Sequence, residues 1–567
     1  MMGFRRGMVI LLSIVLAAAT VLAGCSRNEG TNTNNGSSSG EASENAANNA
    51  GAEGGEGTPA GLVDQNGKID VTFTQYINYD WVTDAKWGED EASKWVKENK
   101  GVTVEYVSSG GNAQQKLTTL IATNELPDTM VIERGAQLDQ LLKSDLLLPL
   151  DEYYGKYPNL KKWASEKTLN ALRSEDGKIY GVPNWFTNEE NPLGNSGWIV
   201  NKKIYQELGS PKLETYDDLD QFLDQVKAKY PKVIPMHVGS GVGGGGVLYA
   251  GFGEGRNEAT AGLWVYRDGD MLKNIWEDPA YVEYLKYLNR NYREGKIQPD
   301  AFTEKAEQVG ERVNNGLIAV SPVKDIGGTS KSASDAYQKV DPQGGYQPIF
   351  PPIHKAGLDP ARLTPSHYSA VGWNITVITK AAGDKAEKIF AYLDWLAGDE
   401  GNATMAYGPR GYQWDELKDV NGTLIPIYNE AYKTMSDEQK GKATSWSNMW
   451  VNNGAWAAQV SAYLYTLSPP APGTWDGEAT IQQARKYAMN TDIYQNLSFD
   501  PTTDVGVAYN SVKEQYQNLF AKAVLAKSEA EVDAVVQEAK DVAGKLNYEK
   551  VLAALNEKFQ NNLQTIG

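Results

Sequence analysis

The sequence predicts an α/β protein with parallel strands, on three observations. Apolar residues switch several times along the chain between a two-residue and a 3.6-residue period. The stretches between those periods are short, which favours strand–helix–strand units over separate all-α and all-β parts. The whole pattern then restarts after Trp185, in a chain of 567 residues that is long enough for two or more cores.

Folded sequence is expected from about Gly67. KIDVTFTQ alternates as a strand, and DEASKWVKENKG reads as an amphipathic helix stopped by Gly101. VTVEYV is a β-branched strand, NAQQKLTTLIATNE is a helix with Leu117, Leu120 and Ile121 on one stripe, and DTMVI is a third strand. In such sheets ligands bind beyond the carboxyl ends of the strands. Those ends carry Tyr79, Asp80 and Trp81, the small polar run 108–112 that ends in Asn112, and Glu133 with Arg134. They read as a ligand edge, although every α/β domain has residues at that position. After Trp185, GWIVNKKIYQELG reads as strand then helix, Thr215 caps YDDLDQFLDQVKAKYP, and KVIPMHV is a strand opening into glycines 239–246. From about Asn402 the chain reads as largely helical and aromatic. Trp446 and Trp450 share a face if their segment is helical, and for these indoles core packing competes with a binding role.

The first residues have a different character. Arg5 and Arg6 precede an apolar run, Met8 to Val21, that is too short and too early for a membrane span and ends in small residues, as a secretory signal does. Leu22-Ala23-Gly24-Cys25 follows and resembles the lipobox of bacterial lipoproteins, whose cysteine is diacylated and becomes the first mature residue. Cys25 is the only cysteine of the chain, so it has no internal disulfide partner, and with three histidines in the sequence it has few possible metal co-ligands. Residues 1–24 are therefore expected to be a signal peptide, and 25–65 a lipidated cysteine with a flexible tether. Almost no large apolar residue lies between Ser26 and Gly61 to offset the entropy of ordering.

Removing the signal takes the formal charge from −18 to −20, because Arg5 and Arg6 leave with it. An acidic chain is a poor partner for nucleic acid or anionic headgroups. No second apolar run approaches membrane-spanning length, so the membrane is met through the lipid anchor only, on the extracytoplasmic face of the cell membrane.

Two motif matches carry no chemistry. Residues 36–40 fit G-x-S-x-G, but that elbow needs a strand before it and a helix after it, and the tether offers neither. Glycines 239–246 fit G-x-G-x-x-G after a strand, but no convincing helix follows, and there is no GK[ST] for a nucleotide phosphate. A flexible loop on a binding cleft is the better reading.

Several segments together resemble the extracellular solute-binding lipoproteins of ABC importers, family 1, in the carbohydrate-uptake cluster. KLTTLIATNELPDTMVI is similar to that family's helix, Pro-Asp turn and strand, and DEYYGKYPNLKKW with DGKIYGVPNW to the segments leading to its first interdomain crossing. YVEYLKYLNRNYREGKIQPDAF with NNGLIAV, and TKAAGDKAEKIFAYLDWLAGDEGNATMAYGPRG, are similar to later segments, in the family's order. The resemblance implies a periplasmic-binding-protein-like α/β fold, with two α/β lobes joined by a hinge and a ligand cleft between them. On that basis 66–183 and 336–400 are assigned to the N-terminal lobe, and 184–335 and 401–567 to the C-terminal lobe. It further implies an oligosaccharide ligand, the ABC permease transmembrane subunits as partners and a monomer. Alginate-oligosaccharide binders of this type carry a calcium loop of alternating acids, and this sequence has no D-x-[DN]-x-[DN]-G equivalent, so neither a metal nor another cofactor is expected.

Sugar chemistry selects the candidate residues. Pyranose rings present apolar C–H faces and polar hydroxyl edges, so a binder needs flat aromatics beside Asp, Asn, Glu or Arg. Tyr79-Asp80-Trp81, Asn184-Trp185 and Trp373-Asn374 each place an aromatic beside a polar group. Trp81, Trp185 and Trp373 are expected to stack on rings, with Tyr79 beside them, and Asp80, Asn112, Arg134, Asn184 and Asn374 to hold hydroxyls. Two other classes compete. A surface glycoside hydrolase or esterase would need opposed carboxylates or a nucleophile with its base, and His237, His354 and His367 sit in no recognisable triad setting, so no catalytic residue is assigned. A binding protein for a peptide, or one presenting sugar to a membrane sensor, would share most of these features.

Overall fold

The computed structural model describes residues 67–82, 86–187, 194–238, 245–467, 469 and 476–566. The signal peptide, Cys25, the tether, residues 239–244 of the glycine run and Trp475 lie outside them.

Two sheets organise the chain. The first runs Val102–Val107, Val71–Ile77, Thr129–Glu133, Asn374–Ile378, Gly181–Pro183. Its first three strands are parallel, and Asn374–Ile378 is antiparallel to both of its neighbours. Four carboxyl ends and one amino end therefore share an edge. The helix Glu91–Lys100 returns the chain between the first two strands. Asp90 caps it by accepting from the Ser93 N–H at 2.7 Å, and Gly101 ends it in the left-handed region at φ 68°. The second sheet runs Tyr346–Ile349, Gly197–Asn201, Ile318–Val323, Ile234–Met236. The helix Tyr216–Lys229 beside it begins with a full capping box between Thr215 and Asp218.

Each sheet has its own core. Phe73, Val104, Ile132, Ile375 and Phe390 belong to the first, and Trp198, Val200, Leu219, Trp276 and Phe559 to the second. The expected partition of the chain differs from these cores at two places. Tyr346–Ile349 pairs with Gly197–Asn201 in the second sheet, although 336–400 was assigned to the first lobe. Ala403, Trp414, Trp456 and Val460 pack in the first core, although 401–567 was assigned to the second. Amphipathic periodicity marks which face of an element is buried, but not the sheet it is buried against. Along the chain, Phe186 still belongs to the first core, Trp198 to the second, Val371 through Val460 include first-core residues again, and Tyr494 belongs to the second. Ile566, after the C-terminal helix Tyr548–Thr565 of the second lobe, returns to the first core.

Local expectations also meet exceptions. The stretch after Asn402 contains a hairpin, Trp414–Val420 with Thr423–Tyr428, turned by Asn421 and Gly422 at φ 55° and 83°. An Asn-Gly pair between alternating residues is a strong two-residue hairpin signal, and here it outweighs the helical reading. Trp446 and Trp450 do not share a helix face, because only a 3-10 turn, Trp446–Asn448, forms there. A short helix, Gly245–Ala250, does follow the glycines, and burial of Val247, Leu248 and Tyr249 overrides their poor propensity. Among the described residues no helix is long and apolar enough to cross a membrane.

Candidate functional site

All nine candidate ligand residues lie at or just beyond the shared edge of the first sheet. Tyr79, Asp80 and Trp81 follow Val71–Ile77, Asn112 lies beyond Val102–Val107, and Arg134 follows Thr129–Glu133. Asn184 and Trp185 follow Gly181–Pro183, and Trp373 and Asn374 stand at the start of the antiparallel strand. The doubly wound arrangement makes this edge concave, with loops diverging on either side.

An aromatic platform stands there. Trp81 is 66% exposed and Trp373 52%, while Tyr79 between them is 7% exposed. The Tyr79 ring lies 5.5 Å from Trp81, 5.2 Å from Trp373 and 6.1 Å from Trp450, the last nearly parallel at 14°. Trp81 lies 6.3 Å from Trp373 and 6.2 Å from Trp450. Large indoles left this open are unusual in a domain that buries Trp198, Trp276 and Trp456 completely, and they offer flat apolar faces to a ligand.

The platform opens onto a cavity of about 510 Å³ between the lobes. Asn184, Trp185, Gly372 and Trp373 form one wall, and Ala259, Leu263, His367, Thr491, Tyr494 and Gln495 much of the other. One face of the Trp185 indole is fixed by Gly454, where an added Cβ would lie 2.4 Å from the ring. Trp373 is held through its backbone. Asn184 Oδ1 accepts from the N–H groups of Trp373 and Asn374, both at 3.2 Å. Gly372, at φ 61°, lets the chain turn against the Asn184 side chain, which a Cβ would meet at 2.4 Å. Its carbonyl accepts from Arg134 Nη2 at 2.5 Å. From the second lobe, Asp492 accepts from Ser369 Oγ at 2.8 Å and the Ala370 N–H at 2.9 Å. Three separate chain segments therefore position Trp373.

Several candidates have structural duties. Asp80 Oδ1 accepts from Ser109 Oγ and the Ala113 N–H, and Asn112 caps the helix Ala113–Thr123, so the loops carrying the platform are braced by them. Arg134 Nη2 also donates to Gln495 Oε1 at 2.6 Å, bridging the lobes, and burial pulls its guanidinium down to about 10 while Asp492 pushes it up. Asn374 is fully buried. Its amide neighbours the Tyr79 hydroxyl, and neither makes a hydrogen bond of good geometry among the described residues. Burial, aided by Glu133, drives the Tyr79 phenol well above its usual range, so the hydroxyl stays a neutral donor.

Sequence reasoning missed Trp450 as a platform member and the whole second-lobe wall. His367, half buried, keeps a neutral imidazole because burial lowers its pKa, and its Nδ1 has no hydrogen-bond partner among the described residues. Trp456, by contrast, is core, with its indole N–H donated to the Leu424 carbonyl at 3.0 Å. Among the described residues no three of His, Cys, Asp and Glu converge as metal ligands.

Comparison with known proteins gives this arrangement a family. The sequence profile of the bacterial extracellular solute-binding proteins matches residues 92–413. No curated protein matches the chain in sequence. Among solved structures it is similar to the alginate-binding protein AlgQ2, at 16% identity and a TM-score of 0.63 over 87% of this chain and 98% of that one. It is also similar to FusA, an ABC-transporter substrate-binding protein of Streptococcus pneumoniae solved with kestose, at 16% identity and a TM-score of 0.62 over 87% and 100%. A third similar structure is a solute-binding protein of Bifidobacterium longum infantis described as HMO-binding, at 15% identity and a TM-score of 0.61 over 88% and 99%. These likenesses establish a periplasmic-binding-protein-like α/β fold. With its profile matched over more than half of its length, the chain belongs to the bacterial extracellular solute-binding protein family.

Proposed function

We propose that this protein is the surface-anchored solute-binding component of an ABC importer, which captures an oligosaccharide between its lobes and delivers it to the permease subunits unchanged. One observation carries the reading: the exposed Trp373, with exposed Trp81 beside it, lines a cavity whose opposite wall mixes apolar Leu263 with the imidazole, hydroxyl and amide groups of His367, Thr491, Tyr494 and Gln495. Stacking surface on one side and hydrogen-bonding edges on the other match the two faces of a pyranose. The sugar-linked names of the structural neighbours support the same ligand class. Trp185, Trp373 and Trp81 stack on rings, Asn184 and Asn374 stand beside them, and Asp80, Asn112 and Arg134 hold the frame. The lobes close over the ligand, the protein acts as a monomer, and Cys25 carries the lipid that keeps it on the outer face of the cell membrane.

A melting titration tests the central claim. A soluble form beginning near Gly61 is stabilised by its oligosaccharide, by about 2.7 kcal/mol at a hundredfold over Kd, a rise of roughly a few degrees for a chain of this size. Chromatography of the ligand after incubation returns it intact. A shift from peptides and none from a broad glycan panel would replace the sugar with another solute. The anchor has its own test, because Cys25→Ser abolishes detergent partitioning if two acyl chains hold the protein.

A further inference from the structure

The walls of the interlobe cavity point to the charge of its ligand. Twelve of the described residues line it, and none of these is Asp, Glu, Lys or Arg. The charged groups closest in the hydrogen-bond pattern serve the walls from behind. Asp492 is taken up by Ser369 and Ala370, and Arg134 reaches the cavity wall through the Gly372 carbonyl and the Gln495 side chain. Arg134 Nε and Nη1 lack partners among the described residues, but both are sealed from solvent and Arg134 is not a lining residue. The charges that act on the site's own titratable groups stand behind the lining and are of both signs. Those charges balance: Glu133 acts on Tyr79 in the platform, Glu258 and its partner Lys324 act on His367 in opposite senses, and Arg267 acts on Tyr494 from outside the lining, so no net cation is offered to an anion.

Resting on the saccharide reading above, we infer that the site selects neutral glycans and rejects uronic-acid and amino-sugar oligomers of the same length. A carboxylate entering this cavity gives up its hydration and meets no lining cation to replace it. An ammonium meets no lining carboxylate, and the indole faces alone compensate it weakly. A neutral sugar gives up only hydroxyl hydration, which Asn184, Thr491, Gln495 and His367 can replace with hydrogen bonds. Trp373 lines the cavity and also belongs to the platform, so a ligand seated inside continues over Trp81 and spans at least two rings.

Calorimetry and tryptophan fluorescence on the full mature chain test this with three matched series: neutral gluco-, manno-, xylo- and fructo-oligosaccharides, oligouronates, and chitosan oligomers. At least one neutral series binds, and the charged series are weaker by about tenfold or more, since an uncompensated charge must be desolvated. Ala259→Arg, which places a guanidinium in the cavity, raises the uronate-to-neutral affinity ratio by about tenfold. A uronate or chitosan series that binds as tightly as the best neutral one overturns the inference. A uronate signal abolished by Arg134→Met would identify the guanidinium as an anion anchor. Silence from all three series overturns the saccharide reading itself.

Discussion

The two walls of the cavity are built by different means. The first-lobe wall is aromatic and held by backbone: Gly454 fixes the Trp185 ring, and Asn184 and Arg134 fix the turn that carries Trp373. The second-lobe wall is mixed: Ala259 and Leu263 are apolar, and His367, Thr491, Tyr494 and Gln495 carry hydrogen-bonding groups. Indoles have few rotamers to lose, so a prepositioned aromatic wall contributes affinity at little entropic cost. Short polar side chains contribute direction instead, because their hydrogen bonds fail when geometry is wrong. On the proposed reading, affinity and selectivity are divided between the lobes.

The largest effect separates core indoles from wall indoles. Trp456→Ala should cost about 3–5 kcal/mol of stability, as deletion of a fully buried aromatic does, whereas Trp373→Ala should leave the apo melting midpoint nearly unchanged. In ligand titration Trp373→Ala should lose about 1–3 kcal/mol of affinity, a range taken from aromatic stacking on bases. A collapsed apo midpoint for Trp373→Ala would make it a packing residue and erase the distinction. Gly454→Ala attacks the same wall from behind. Its methyl would stand 2.4–2.6 Å from Trp185 ring atoms, so the indole must move, and affinity should fall by about 1–3 kcal/mol.

The second wall should respond more gently. His367→Phe keeps a ring but removes a hydrogen-bonding edge, and should cost about 0.5–1.5 kcal/mol of affinity. A loss larger than that of Trp373→Ala would reverse the division of labour. The smallest effect is one of pH. Burial lowers the pKa of both His367 and His237 below the unfolded value of 6.5. Their contribution to stability is therefore complete above that value and declines as pH falls through the folded ones. Burial raises the Asp394 carboxyl to about 6, which acts in the opposite sense over the same range, so the histidine contribution is read as a difference: the midpoint of the wild type relative to His367→Phe should fall as the pH drops from about 7 to about 5. A wild-type midpoint that rises relative to that of His367→Phe on acidification would contradict burial of the His367 ring as a neutral species.

Much of the first wall was legible because its residues sit beside strands that announce themselves. Tyr79 and Trp81 follow an alternating run, so the rule that ligands lie beyond carboxyl ends led to them, whereas Trp185 was singled out by the polar Asn184 beside it and only the structure shows the short strand before it. Trp450 and the Thr491–Gln495 segment carry no such mark. They reach the cavity through long-range packing, and locally they look like any loop. Asp80 and Asn112 show a different limit. The side chains that hold sugar hydroxyls are also those that accept backbone N–H groups in turns and caps, and composition alone does not separate the two uses. The lobe partition slipped for a related reason, since the helices and hairpin after Asn402 could cover either sheet equally well.

The placement of Ile566 has a mechanical consequence. The chain already alternates between the two cores three times, and Ile566, after a helix packed on the second lobe, is buried in the core of the first. A body hung on one strand can swivel in any direction. Each further strand removes a freedom, and four attachments leave little besides bending about one line. That restriction fixes the path along which the second-lobe wall approaches the indoles, so every capture brings the same atoms together.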